Sequence, residues 1–291
     1  MTITLSSDRI RLTLEPRFGA RVTSLTDRRS RRQWLVSGAR QGDGGDQASY
    51  GGAEARGWDE CFPSIASGHD PVWGTLRVHG QLWDRPWQIA ADPGAGRCTT
   101  TYQTAMFAFE RTLALQGPVL TASYAVTNHA PVALPYLWSQ HALLATHPSD
   151  RLALQGIPDL ISGTNRYIWP HHPARDLTEV GSLQDGFALK SYAATPNAAS
   201  AAVYGPDGGL RFDWSGDVPA FGLWLDYGGW PPDAPAHQIA FEPATAMADS
   251  LADAAALGQI RLLAPGATDR WAVRLTVMDP GDHQPFGGGT R

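Results

Sequence analysis

Three short segments of this 291-residue chain carry ionisable side chains in strand-like settings: "TLRVHGQLWDRPW" with His79, "PYLWSQHALLATHP" with His141, and "HQIAFEPATAMADSL" with Glu242. If the first strand persists through residue 79, Thr75, Arg77 and His79 share a face, because side chains alternate along a strand. In the second segment Leu137, Ser139 and His141 share a face opposite Tyr136, Trp138 and Gln140. In the third, Gln238, Ala240 and Glu242 face away from Ile239 and Phe241, and Pro243 ends the run. Taken singly, each ionisable group has an ordinary structural explanation, a hydrogen-bonded histidine or a rim charge. Together with 11 tryptophans they point to a sugar, whose apolar C–H faces stack on aromatic rings while carboxylates and arginines bind its hydroxyls. Half or more of those tryptophans are expected simply to pack the core.

The elements that would position these groups read as strands. In "RIRLTLEP", Ile10, Leu12 and Leu14 alternate with Arg9, Arg11, Thr13 and Glu15. "RTLALQGPVLTASYAVTN" is a hairpin about Gly117-Pro118, and "AAVYGPDGGLRFDW" repeats the device with Leu210, Phe212 and Trp214 on one face. "DRWAVRLTVMD" aligns Trp271, Val273, Leu275 and Val277. Helix is confined to "ADSLADAAALG", capped by Asp249 or Ser250 and stopped by Gly258. The expected fold is all-β, a large antiparallel β-sandwich with very little helix, as one domain over residues 1–280 followed by a loose tail at 281–291.

Composition narrows the function. The formal net charge is -5, and Lys190 is the single lysine among 23 basic residues. The one basic cluster, "DRRSRRQW", reads as a solvated turn, so no nucleic-acid partner is expected. No apolar run is long enough to span a bilayer and the first thirty residues lack a signal peptide's hydrophobic stretch, so no membrane association and a cytoplasmic location are expected. Cys61 and Cys98 are expected as free buried thiols. The chain has no G-x-S-x-G elbow, H-E-x-x-H, phosphate-cradling GxxxxGK or nucleotide fingerprint. His171-His172 and the His141 and His147 pair lack a zinc site's ligand set, and Asp43 and Asp46 in "QGDGGDQ" fall short of a calcium loop, so no metal is expected.

One stretch, "GGAEARGWDECFPSI" at 51–65, is either an acidic active-site loop or a corner of the core. Its Trp58, Asp59, Glu60 and Cys61 lie between two glycines and a proline.

With these segments in order, the chain resembles the aldose 1-epimerase (galactose mutarotase-like) family. "ITLSSDRIRLTLEPRFGARVTSL" is similar to that family's first hairpin, with Gly19 at its turn. "GGAEARGWDECFPSI" is similar to its Gly-Gly-Trp-Asp/Glu-Glu-x-Phe-Pro stretch. "HGQLWDRPW", "LWSQHALLA" and "FEPATAMADSL" resemble the segments that carry its two histidines and its catalytic base. The resemblance implies a galactose mutarotase-like supersandwich, no organic cofactor and a small-molecule sugar substrate, in a monomer or homodimer. It implies that Glu242 takes the proton from the anomeric hydroxyl, that His141 protonates the ring oxygen and that His79 helps hold that oxygen. Such a pair makes chemical sense: the reference pKa values, about 4.3 for Glu and about 6.5 for His, let a free base and a free acid coexist near neutrality.

Substrate contacts are expected from Arg77, Trp58, Asp59 and Trp224, with Glu60 tied to Arg77 and with Phe62 and Cys61 in the core. The family's hydroxyl-orienting aspartate has no secure counterpart; Asp226 is the candidate, because it shares a strand face with Trp224, and its alternative role is to cap the turn that follows. The sequence departs from galactose mutarotases, which have Gly-Arg-x-x-Asn-Arg-Ile where this chain has "GGWDECFPSI" and His-Ser-Tyr-Phe-Asn-Leu where it has "SQHALLA". Two other readings stand beside a mutarotase of free aldohexoses. One is a hexose-6-phosphate 1-epimerase clamping phosphate with Arg85, Arg77 or Arg56; the other is a sugar-binding sandwich without turnover.

Overall fold

In the computed structural model, which describes residues 2–37, 50–51 and 55–282, nearly all regular structure is antiparallel strand. The "QGDGGDQ" loop and the chain from 283 onward lie outside the described residues. Ten strands form one sheet, in the order Ile3–Ser6, Ile10–Glu15, Arg21–Asp27, Trp58–Cys61, Ser139–Leu144, His237–Ala244, Ala220–Tyr227, Phe187–Ala194, Asp159–Ser162 and Asn165–Ile168. Eight form a second: Arg151–Gln155, Ala199–Gly205, Gly208–Trp214, Thr268–Met278, Val119–Asn128, Phe107–Gln116, Arg97–Gln103 and Gln88–Asp92; three small two-stranded sheets accompany them.

The alternation read from the sequence is what brings the sheets together. Ile10, Leu12 and Leu14 are buried, as are Trp271, Val273, Leu275 and Val277, while their strand neighbours Arg11, Arg270, Ala272 and Arg274 are exposed. The inner faces meet in one apolar core, with Phe212 against Phe241 at 5.6 Å, Phe62 against Phe109 at 5.3 Å and Tyr124 against Trp138 at 4.7 Å between ring centroids. Burial of such aromatic and aliphatic side chains, at about 1.5–3 kcal/mol each, is the main stabilising contribution. Both expected hairpins are present, the first turning at Gly117 with φ +56°. The helix Leu251–Ala256 is capped by Ser250, whose hydroxyl accepts the Asp253 N–H at 3.0 Å. Cys61 and Cys98 are free and buried. No helix among the described residues is long and apolar enough to cross a membrane.

Two local expectations are overturned. The strand leading to His79 stops at Leu76, and residues 77–80 form a turn in which His79 has φ +60° and Gly80 φ +73°. The cause is contact: Gly80 lies so close to the Phe62 carbonyl that a Cβ there would sit 2.0 Å from it, and the His79 N–H donates to the Ile65 carbonyl at 2.6 Å. Pro243 does not end its strand, which runs on to Ala244. It is tolerated because the recorded pairing with Ser139–Leu144 skips the positions facing Gln140 and His141, so no ladder bond needs the missing N–H.

Candidate active site

The pleat sorts the residues of the ten-stranded sheet into alternate rows. One row on the inner face reads Val22, Trp58, Ala142, Phe241 and Leu223 across five neighbouring strands. One residue further along each strand, the row on the outer face reads Arg21, Asp59, His141, Glu242 and Gly222, and continues to Tyr192 on the next strand. The flanking pairs Ser139 with Ala244 and Ala142 with Phe241 put His141 directly opposite Glu242. Side chains so placed have Cβ atoms about 4.5–5.5 Å apart.

These groups are linked. The Arg21 guanidinium donates to Asp59 Oδ2 at 3.4 Å, and Asp59 Oδ1 lies 2.8 Å from His141 Nδ1. His79 enters from the turn above the sheet, its ring edge-on to His141 at 4.5 Å and stacked on Tyr50 at 3.8 Å between centroids. The Tyr50 hydroxyl is 3.3 Å from His141 Nδ1. On the other side, the Lys190 ammonium ion-pairs with Glu242 Oε2, and the Tyr192 hydroxyl donates to Asp249. The covering segment is fastened over this face, with the Ile65 and Ala66 N–H groups both donating to the Asp249 carbonyl. That cover leaves Asp59 wholly buried and Glu242 3% exposed although both are on the face turned from the core.

Burial pushes the Asp59 carboxyl up, but Arg21, then His141, outweigh it and hold it down at about 2. Asp59 is therefore an anion at neutral pH, and an anion at Nδ1 places the imidazole N–H there and leaves Nε2 for a ligand. Burial, then the nearby His141, push His79 well below the ordinary histidine range, so it is neutral. Burial lowers Lys190, yet Glu242 and then Asp249 more than compensate, so it stays charged. Donor atoms of Asp59, His79 and His141 lie within 4.8 Å of one another, so that among the described residues these three could hold a divalent ion.

Several expected contacts are not made. Trp58 is wholly buried on the inner face, because it neighbours Asp59 on an extended strand and must point the other way. Glu60 points inward for the same reason and is tied not to Arg77 but to Arg111, at 2.9 Å, while also accepting from Trp58 Nε1, Tyr124 Oη and Trp138 Nε1. Burial pushes its carboxyl up to about 7, with Arg111 opposing. Arg77 forks onto Asp84 at 2.8 and 2.9 Å, and Arg85 also approaches Asp84, at 3.5 Å. Asp226 is wholly buried and takes the alternative role: its Oδ1 accepts the N–H groups of Gly229 and Trp230. It stands four residues along its strand from Gly222, about 13 Å from the Glu242 row. Trp224 is half-buried on the same face as Glu242.

Residues 58–62 of the acidic stretch divide between the two faces. Asp59 lies on the outer face, while Trp58, Glu60 and Phe62 build the core. Sequence reading missed Lys190, Tyr192 and Arg21. Their signals were modest: one lone lysine alternating with Tyr192 in "FALKSYAA", and an arginine at a strand start.

Searches with the sequence find no matching family model and no matching curated protein. Comparison of coordinates does find similar structures. A galactose mutarotase related enzyme from Lactobacillus acidophilus superposes with a TM-score of 0.71 at 12% identity, over 97% of this chain and 99% of that one. A galactose mutarotase-like protein from Lactobacillus casei gives 0.70 at 17% identity, over 95% and 100%. A candidate aldose 1-epimerase from Klebsiella pneumoniae gives 0.77 at 14% identity, over 100% and 84%. The fold is galactose mutarotase-like.

Proposed function

We propose that this protein is an aldose 1-epimerase, interconverting the α and β anomers of a free aldohexose by acid–base ring opening and closure. The observation that carries the reading is the single outer row in which Asp59, His141 and Glu242 follow one another on three adjacent strands, with His79 against His141. In this reading Glu242 removes the proton from O1 of the sugar while His141 Nε2 gives one to the ring oxygen O5, and the C1–O5 bond breaks to leave an aldehyde. Rotation about C1–C2 presents the other carbonyl face. The O5 hydroxyl then attacks C1, His141 takes its proton back and Glu242 returns a proton to O1, so the protein ends each turnover unchanged. Asp59 stabilises the imidazolium from which His141 gives its proton, and neutral His79 can hydrogen-bond O5 without competing for the proton. Each proton-transfer partner is worth about 10²- to 10⁴-fold.

The phosphorylated-sugar reading has less support, because Arg77 and Arg85 are already drawn to Asp84. Polarimetry of freshly dissolved α-D-glucose and α-D-galactose, with and without protein, tests the proposal. Accelerated mutarotation that disappears in Glu242→Gln is expected. Unaccelerated mutarotation across a panel of aldoses, in a protein that still binds sugar, would leave the non-catalytic binding reading in its place.

A further inference from the structure

The outer face that carries Glu242 continues past it. One row further, Trp224 lies directly opposite Lys190 on one side and Ala240 on the other, two residues and so about 7 Å along its strand from Gly222. Trp230 stands edge-on to Trp224, with centroids 6.0 Å apart and planes at 86°. The residue is 46% exposed, yet its backbone is fixed: the N–H donates to Asp226 Oδ1 at 3.1 Å and the carbonyl accepts from Ala236 at 3.0 Å. A large aromatic on a fixed backbone, turned toward solvent beside a half-buried partner, presents stacking surface at a reduced ordering cost on binding.

The charge around this corner restricts what can occupy it. Lys190 is flanked by Glu242 and Asp249, so one cation already faces two carboxylates. A further anionic group, phosphate or uronate, would meet net negative charge; a neutral ring with apolar C–H faces would not. We infer that Trp224 and Trp230 form a second sugar-ring subsite, so that the preferred substrate is the reducing-end residue of a neutral di- or oligosaccharide rather than a lone aldose. This rests on the epimerase reading for its reaction, though not for its binding.

The test compares kcat/KM for mutarotation of glucose with that of maltose, cellobiose and lactose, which share a reducing-end glucose, in the wild type, Trp230→Ala and Trp230→Phe. At least one disaccharide is expected to exceed glucose by roughly 2- to 12-fold, the scale of one good aromatic contact. Trp230→Ala should bring that ratio to about one, and Trp230→Phe should restore it in part. Equal values for all four sugars in the wild type, or a preference untouched by Trp230→Ala, would overturn the subsite while leaving the epimerase reading intact. Calorimetric titration with the same sugars decides the case if no sugar is turned over: tighter disaccharide binding that depends on Trp230 supports the subsite, and its absence refutes it.

Discussion

Lys190 Nζ and Glu242 Oε2 form an ion pair across the intervening strand Ala220–Tyr227, with the carboxylate side chain 3% exposed and the lysine 26%. The gap is bridged over Gly222, which has no side chain to obstruct it. Lys190 thereby fixes the carboxylate that the epimerase reading makes the base. Lys190→Met should lower kcat by about 10- to 100-fold, the rate equivalent of one charge-assisted hydrogen bond, with Lys190→Arg recovering part of it. Steady-state mutarotation kinetics check this; a kcat within twofold of wild type in Lys190→Met would remove any positioning role.

Gly222 itself should resist even alanine. A Cβ there would lie 3.0 Å from Glu242 Oε2, 3.2 Å from Glu242 Cβ and 3.4 Å from Tyr192 Cε1, and the pinned carboxylate has little room to yield. Gly222→Ala is expected to depress kcat by about tenfold, because a displacement of this size misaligns a proton-transfer group, with a melting temperature close to wild type. Thermal unfolding run beside the kinetics separates a shifted base from a loosened fold.

The buried network under the site should dominate stability. Glu60 and Arg111 are both fully buried, and the carboxylate gathers donors from four side chains. Arg111→Met leaves that carboxylate without its countercharge and should cost about 3–5 kcal/mol. Glu60→Gln in turn leaves the Arg111 guanidinium, which cannot shed its proton, without a countercharge and should cost at least as much. Urea unfolding of the two variants gives the ranking, and the reverse order would contradict the network's logic.

Asp59 predicts an acid limb of stability. Its folded-state value of about 2 lies below the ordinary 3.8, so its stabilisation is complete above pH 3.8 and fades as the pH falls through 2. The difference amounts to about 2 kcal/mol. Between pH 2 and 4 the wild type should lose stability relative to Asp59→Asn, whose residue 59 has no proton to gain; parallel pH profiles for the two would show that Arg21 does not hold the carboxyl down.

Local chemistry and period decided a good deal by themselves. The two-residue alternation in "RIRLTLEP" and "DRWAVRLTVMD" fixes which side chains are buried, and hence an all-β sandwich, because a strand with one apolar face must cover it. The Gly117-Pro118 turn, the Ser250 cap and the order of the segments bearing His79, His141 and Glu242 were equally legible. What the linear chain could not contain is which strands become neighbours. Strand order and register alone put Asp59, His141 and Glu242 in one row, bring Lys190 over Gly222 and set Glu60 against Arg111, since each pairing joins residues remote in sequence. The same limit explains the misplacements: the family resemblance sets both Trp58 and Asp59 beside the sugar, whereas neighbours in a strand point to opposite faces. Asp226 was grouped with Trp224 by a shared face, which says nothing of the turn that occupies its carboxylate.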